Sequence, residues 1–280
     1  MAIDLTGRTI AITGGSSGIG KATAIACARA GMKVIIAARR EEALKRVVGI
    51  IRGFGGHAAY VVVDVANPRD NERIIEAALD HFGSLYSVFA NAGYGQERTV
   101  LGYTDAELEH IFRVNFWASL QLTRLAAHHF LKQEHVGNAK RGHILVCSSC
   151  VSKIGLPNYA AYSATKSLQD HFARAMRIEL ADRNVAVSSV HPIGTRTEFF
   201  DTAKQLSGGR RISIQTPERL KQPAETVADA VVRCLRKPKG EVWTSFPMRA
   251  MLALGTAFPG FADAMLLKRQ RQLRDAVTRS

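Results

Sequence analysis

Seven short, almost purely apolar runs are strung through this 280-residue chain, and each gap between them holds a segment with helical periodicity. The runs are 8–13 (RTIAIT), 33–38 (KVIIAA), 58–63 (AAYVVV), 85–90 (LYSVFA), 143–148 (HILVCS), 185–190 (VAVSSV) and 241–244 (EVWT). Helices are predicted near 18–30, 40–52, 68–82, 105–133, 160–181 and 224–236. A strand with one wet face alternates apolar and polar residues, whereas a strand covered on both faces does not. Continuous apolar strands separated by helices therefore predict a doubly wound α/β domain, with a parallel sheet between two helical layers. The 46% hydrophobic content is ample for such a core. This domain is expected to span 1–245, followed by a helical tail at 246–280.

Two segments depart from the alternation. Residues 193–223 offer no strand and carry Gly208, Gly209, Arg210 and Arg211. Long connections in compact domains are more often lids or binding loops than spacers. The tail reads FPMRAMLALGTAFPGFADAMLLKRQRQLR, uncharged from Ala250 to Ala262 but broken by Gly255, Pro259 and Gly260. It is too short and interrupted for a membrane-spanning helix, which needs about 20 apolar residues.

The formal charge is +14, and the stretch from Arg233 to Ser280 holds ten Lys or Arg against three Asp or Glu. No zinc-finger or RNA-recognition signature accompanies this excess, so a nucleic-acid partner is not expected. The N-terminal MAIDLTGRTIAIT leads into a strand and lacks the pattern of a secretory signal. Cys27, Cys147, Cys150 and Cys234 are too few for a disulfide scaffold in a chain this long. Cys147 and Cys150 lie across a strand end, where packing outweighs metal or redox chemistry. A reducing, cytoplasmic setting is the expectation, and no metal site is predicted.

Directly after the first strand comes Thr13-Gly14-Gly15-Ser16-Ser17-Gly18-Ile19-Gly20, and then a helix. Glycines there permit a tight turn and close backbone approach to a pyrophosphate, which the helix N-terminus attracts. The spacing G-x-x-x-G-x-G differs from the commoner G-x-G-x-x-G, but its strand–loop–helix context points to a nucleotide. A ribose 2′-OH calls for an acid at the end of the second strand, and a 2′-phosphate for a base. Here that strand ends Ala37-Ala38-Arg39-Arg40. NADP(H) is the predicted cofactor, with Arg39 at the phosphate and Ser16 or Ser17 adding a hydroxyl. Asp64 and Val65, after the third strand, are placed to reach the adenine.

Tyr162 and Lys166 are four residues apart in YAAYSATKSLQDHF and share one helical face. A free phenol titrates near pH 10, and a neighbouring ammonium group favours its phenolate. Such tuning suits a general acid working near neutral pH. Ser149, thirteen residues upstream at a strand end, can hold a substrate oxygen beside Tyr162.

Together these motifs resemble the short-chain dehydrogenase/reductase family in its single-domain, Rossmann-fold form. The matching residues are TGGSSGIG, Asn91-Ala92-Gly93 after the fourth strand, Asn115, Ser149, and Tyr162 with Lys166, spread over residues 1–200 in the family's order. The resemblance implies that Tyr162 donates a proton to a carbonyl oxygen and that Ser149 orients and polarises it. It implies that Lys166 binds the nicotinamide ribose and lowers the Tyr162 pKa, and that Asn115 holds a water linking Lys166 to solvent. Asn91, Ala92 and Gly93 would line the cofactor cleft. The chain departs from the family at His191-Pro192-Ile193-Gly194-Thr195-Arg196-Thr197. Ile193 stands where the family has glycine, so the carboxamide contacts of Pro192 and Thr195 are altered, while Thr197 keeps a hydroxyl within reach. His191 reads as structural rather than catalytic.

Substrate walls are expected from Tyr94, Cys150, Val151, Leu156, Tyr159 and the 195–222 loop, mostly apolar groups that suit a hydrophobic ketone. Examples are fatty-acyl, steroid-like and sphingoid carbonyls. The function predicted is NADPH-dependent reduction of a small-molecule carbonyl, reversible as alcohol oxidation, by a homodimer or homotetramer. A catalytically silent NADPH-binding sensor and a membrane-surface scaffold are the competing readings. The tail's apolar stretch, followed by Lys268, Arg269, Arg271 and Arg274, is also suited to peripheral contact with an anionic membrane.

Overall fold

The computed structural model describes residues 2–133, 140–208, 216, 218 and 221–278, with the side chains of 273–278 excepted. Arg210 and Arg211 lie outside the described residues. Seven parallel strands form one sheet: β1 (Thr9–Thr13), β2 (Lys33–Ala38), β3 (Ala58–Val62), β4 (Ser87–Ala90), β5 (Gly142–Cys147), β6 (Val185–His191) and β7 (Glu241–Trp243). Their order is β3-β2-β1-β4-β5-β6-β7, so the chain runs outward from β1 to one edge and then restarts beside β1 with β4. At that restart the connections leaving the paired strands β1 and β4 run in opposite directions, which opens a crevice at the strands' C-terminal ends, the usual ligand site of open α/β sheets.

The connecting helices are α1 (Gly18–Arg29), α2 (Glu41–Gly53), α3 (Pro68–Phe82), α4 (Asp105–Phe112), α5 (Ala118–Lys132), α6 (Ala160–Glu179), α7 (Phe199–Leu206) and α8 (Ala224–Arg236). The tail adds α9 (Phe246–Ala257) and α10 (Pro259–Thr278). Along β1 the side chains alternate between two cores. Ile10 and Ile12 join Leu44, Val47 and Val231 on one face, while Ala11 joins Ile74, Leu122 and Ile144 on the other. Double coverage is why the strands read as unbroken apolar runs.

Two elements differ from the sequence-based expectation. The single helix predicted over 105–133 is divided by a π-helical turn, Arg113–Trp117, between α4 and α5. The 193–223 connection, expected as loop, contains α7, a two-turn helix whose apolar Phe199, Ala203 and Leu206 share one face over only eight residues. In the tail, Ser245 caps α9 through Met248 N and Pro247 sits in its first turn. The Pro259–Gln272 part of α10 turns 112° away from α9. Among the described residues no single helix is long and apolar enough to cross a membrane.

Leu145 is fully buried in the middle of β5. Leu145→Ala should lower unfolding stability by about 2–5 kcal/mol, since the sheet cannot close over the cavity. Urea titration should show an earlier midpoint with an unchanged slope.

Candidate active site

One cleft of about 870 Å³ runs over the C-terminal ends of the strands, from the glycine loop to α7. That volume is within the range of sites for cofactor-sized ligands. Its walls include Gly14, Ser16, Ser17, Gly18, Ile19, Arg39, Arg40, Asp64 and Val65, all expected from the sequence to contact a cofactor. Asn91, Ala92, Gly93, Ser149, Tyr162, Lys166, Pro192, Thr195 and Thr197 line the remainder. Gly20 and Asn115, also predicted, stand behind the cleft rather than on its surface.

The glycine loop is built by close backbone approach. Gly14 and Gly18 have φ of 66° and 53°, which disfavours a side chain at either position. A Cβ on Gly20 would stand 2.3 Å from the Gly14 carbonyl oxygen, so Gly20 serves the packing of the loop. Thr13 anchors the opposite strand: its hydroxyl accepts from Asn91 N and Ala92 N, both at 3.0 Å, and its carbonyl accepts from Asn91 Nδ2 at 2.9 Å. Ser17 precedes α1 without capping it through its side chain, and no acid lies in the first turn. The free N–H groups and positive end of α1 therefore suit a pyrophosphate.

Of the two arginines after β2, Arg40 makes hydrogen bonds to the serines of the glycine loop. Its Nη2 donates to Ser17 Oγ at 2.9 Å, to Ser16 Oγ at 3.3 Å and to Glu198 Oε2 at 2.9 Å. Arg39 lines the cleft as well. The Arg40 hydrogen bond is the main cause holding Glu198 below the usual carboxylate range. The Glu198 carboxylate thus acts as a stand-in anion at a site made by a guanidinium and two serines. These residues fit a phosphate group.

The reacting end is buried. Ser149 precedes a 3₁₀ turn, Cys150–Lys153, and its hydroxyl accepts from Val151 N at 3.3 Å. Lys166 is 3% exposed and donates from Nζ to Cys147 O at 2.7 Å and to Gln169 Oε1 at 2.9 Å. Its Nζ lies 5.6 Å from the centroid of the Tyr162 ring. Burial pushes the Tyr162 phenol well above its usual value, against the lowering effect of a hydrogen bond with Ser149. Burial also pulls the Lys166 ammonium down. In the protein alone, then, the dry surroundings outweigh the downward pull on Tyr162 that Lys166 was expected to exert.

Asn115 belongs to the π-helical turn and is fully buried. Its Oδ1 accepts from Tyr94 N at 2.9 Å, and its Nδ2 donates to Tyr94 O at 2.9 Å and Thr165 Oγ1 at 3.2 Å. The side chain thereby clamps the loop after β4 to α6. Its backbone carbonyl accepts from Gln169 Nε2 at 2.6 Å.

Behind Ser149 lies an ion network. His191 Nδ1 is 3.2 Å from the Ser149 carbonyl, and its Nε2 is 3.3 Å from Asp170 Oδ1. The imidazole stacks on Trp243 at 4.4 Å. Lys153 Nζ reaches Asp170 at 2.5 Å and Glu241 at 3.5 Å, and Arg249 of α9 reaches Glu241 at 3.7 Å. Asp170, His191 and Glu241 have ligand atoms within 4.8 Å of one another, with the Lys153 ammonium bonded to both carboxylates. His191 thus sits behind Ser149, bonded to its backbone. Burial pushes the Cys150 thiol up to about 11, and the cysteines are free.

On the substrate side, Tyr94, Cys150, Val151, Leu156 and Tyr159 line the cleft as predicted. Phe199, whose ring lies 5.2 Å from that of Tyr162, and Phe200 beside it come from the 195–222 segment expected to wall the substrate, though neither was singled out there. Their apolar pair at the start of α7 was the available signal.

A model of the short chain dehydrogenase family matches residues 8–206. An uncharacterised oxidoreductase of Listeria innocua is 32% identical over 197 residues, covering 70% of this chain and 77% of that protein. The versicolorin reductase of Emericella nidulans is likewise 32% identical over 197 residues, at 70% and 72% coverage. Among solved structures, a short-chain dehydrogenase/reductase from Burkholderia phymatum in complex with NAD superposes with a TM-score of 0.81 at 24% identity. It covers 93% of this chain and 96% of its own, a likeness of fold. The 3-ketoacyl-(acyl-carrier-protein) reductase from Brucella melitensis, complexed with NADH, gives 0.72 at 27% identity, covering 86% and 98%.

Asp170 is held below the usual carboxylate range because hydrogen bonds to His191 and Lys153 outweigh the opposing effect of burial. A carboxylate whose folded pKa is depressed adds stability above its unfolded value, about 3.9, and loses it as pH falls through the folded value. Acid unfolding should therefore steepen below about pH 4. Asp170→Asn should lower stability at pH 7 by about 3 kcal/mol and flatten that acid limb, as read by urea unfolding at several pH values.

Proposed function

The chain belongs to the short chain dehydrogenase family of nicotinamide-dependent oxidoreductases, and on that basis we propose that it is an NADPH-dependent reductase of a hydrophobic ketone or aldehyde. The carrying observation is the meeting of Ser149, Tyr162 and Lys166 at one end of a cleft whose other end offers the Arg40–Ser17 anion site. When bound, the cofactor supplies hydride to the carbonyl carbon. Tyr162 gives its proton to the carbonyl oxygen, and the Ser149 hydroxyl donates a hydrogen bond to that same oxygen. The raised pKa of Tyr162 suits this direction, because the phenol holds its proton until a developing alkoxide takes it. Lys166, held as an ammonium, offsets the charge left on the phenolate.

The Arg40 guanidinium beside the Ser16 and Ser17 hydroxyls supports the choice of NADPH, since these groups suit a 2′-phosphate. Phe199, Phe200, Tyr94, Tyr159 and Leu156 favour an apolar or aromatic substrate body, and a versicolorin reductase and a ketoacyl reductase are among the relatives. A silent NADPH-binding sensor needs no buried lysine beneath a tyrosine. Working as a homodimer or homotetramer in the cytoplasm remains part of this proposal, as does the division into residues 1–245 and the tail.

The tail carries a specific surface of its own. Phe246, Leu254, Phe258 and Phe261, on α9, at its C-terminal cap and on α10, are more than half exposed, and Lys268, Arg269 and Arg271 follow along α10. We propose that this tail rests on anionic lipid.

Tyr162→Phe should lower carbonyl-dependent NADPH consumption by about 10²–10⁴-fold while leaving NADPH binding within about twofold. Arg40→Met should raise the Kd for NADPH at least tenfold and leave that for NADH nearly unchanged, by calorimetric titration. Co-sedimentation with phosphatidylserine vesicles should be lost on truncation after residue 245 and should weaken at high salt; no sedimentation of the full chain would contradict the membrane contact.

A further inference from the structure

The side chain linking Lys166 to Asn115 belongs to no motif in the sequence. Gln169 lies one turn after Lys166 on α6 and is 2% exposed. Its Oε1 accepts from Lys166 Nζ at 2.9 Å, and its Nε2 donates to the Asn115 carbonyl at 2.6 Å. That carbonyl belongs to the π-helical turn, where the regular helical ladder is interrupted. We propose that Gln169 is a positioning residue for Lys166: its amide braces the ammonium against the π-helical turn and fixes it beneath Tyr162. This inference rests on the reductase reading.

Three observations carry it. First, the amide can serve only one way round, because Lys166 offers donors alone and the Asn115 carbonyl accepts alone. Each end of Gln169 therefore fixes the other. Second, Lys166 is buried, and burial works against its charge. Acceptors on the ammonium oppose that effect, and the Cys147 carbonyl and Gln169 Oε1 are the two the structure provides. Third, the Asn115 side chain is already engaged with Tyr94 and Thr165. The connection from Lys166 toward Asn115 thus runs through a carboxamide.

A carboxamide presents an acceptor to one neighbour and a donor to the other, but it does not readily hand a proton across. Gln169 consequently fixes the position of the Lys166 ammonium relative to the π-helical turn. The other titratable groups near the phenol are Cys147, Cys150 and Tyr159, whose charged forms would raise its pKa further.

Gln169→Met keeps the length of the side chain and removes both hydrogen bonds. Alcohol oxidation by NADP requires the phenolate, so its rate should rise with pH through an apparent midpoint. In Gln169→Met that midpoint should move up by about one pH unit, with about a tenfold loss of kcat near neutrality. The calorimetric Kd for NADP should rise about fivefold, since Lys166 is no longer held in place. Gln169→Glu, a second variant in case the first does not fold, sets a carboxylate against the ammonium and should shift the midpoint upward as well. A side chain with only a packing role would lower thermal stability and leave midpoint and Kd unchanged. A midpoint and a Kd at wild-type values in a folded variant would overturn the proposal. Absence of turnover in the wild type would instead defeat the reductase reading, and the Kd for NADP would then decide the role of Gln169 alone.

Discussion

The pairing of β1 with β4, from which the chain departs in opposite directions, governs the rest of this molecule, and Thr13 holds the C-terminal end of that pair in shape. Its hydroxyl and carbonyl take three hydrogen bonds from Asn91 and Ala92, so the two segments that leave the strands stay joined at their start. The glycine loop follows Thr13 on one side, and the Asn91–Gly93 segment follows β4 on the other. Gly14 and Gly20 fit only because no Cβ intervenes between the loop and Asn91. The cleft is therefore a product of topology first and of side chains second.

Across the switch point, the site is organised by charges placed in dry surroundings. Lys166 and Tyr162 are both disfavoured in their ionised forms by burial, so each depends on bonded partners. Cys147 and Gln169 hold the lysine, while Ser149 meets the phenol. Ser149 is itself set by a 3₁₀ turn and by His191 bonded to its carbonyl. Asp170, Lys153 and Glu241 then balance the charges around that histidine. This network joins α6, β6, β7 and α9, so the helix that starts the tail is tied to the back of the reacting centre.

Much of this could be read from residues alone, for definite reasons. Unbroken runs such as KVIIAA mark strands covered on both faces, and α3 and α8 begin and end where their sequence patterns do. Tyr162, Lys166 and Ser149 could be singled out because proton chemistry demands particular side chains at particular spacings, and the structure brings the three to one cleft. Arg40 was less visible than Arg39, since two adjacent arginines give no hint of which will turn toward Ser16 and Ser17. Phe199 and Phe200 lay in an eight-residue helix too short for its spacing to stand out from the connection around it. Gln169 was invisible because a glutamine on a helix is ordinary until its two bonding partners arrive from other elements. The π-helical turn that presents the Asn115 carbonyl likewise leaves no periodic signature.

The central claim is that hydride reaches a carbonyl carbon in this cleft while Tyr162 protonates its oxygen. Incubation with NADPH deuterated at the transferable C4 position and an aromatic or fatty-acyl ketone, followed by mass spectrometry, tests it directly. The account predicts one deuterium on the carbinol carbon of each alcohol formed, matched by one NADPH consumed. NADPH that binds but is consumed with none of a broad panel of ketones and aldehydes, or an alcohol formed without deuterium at that carbon, would contradict it.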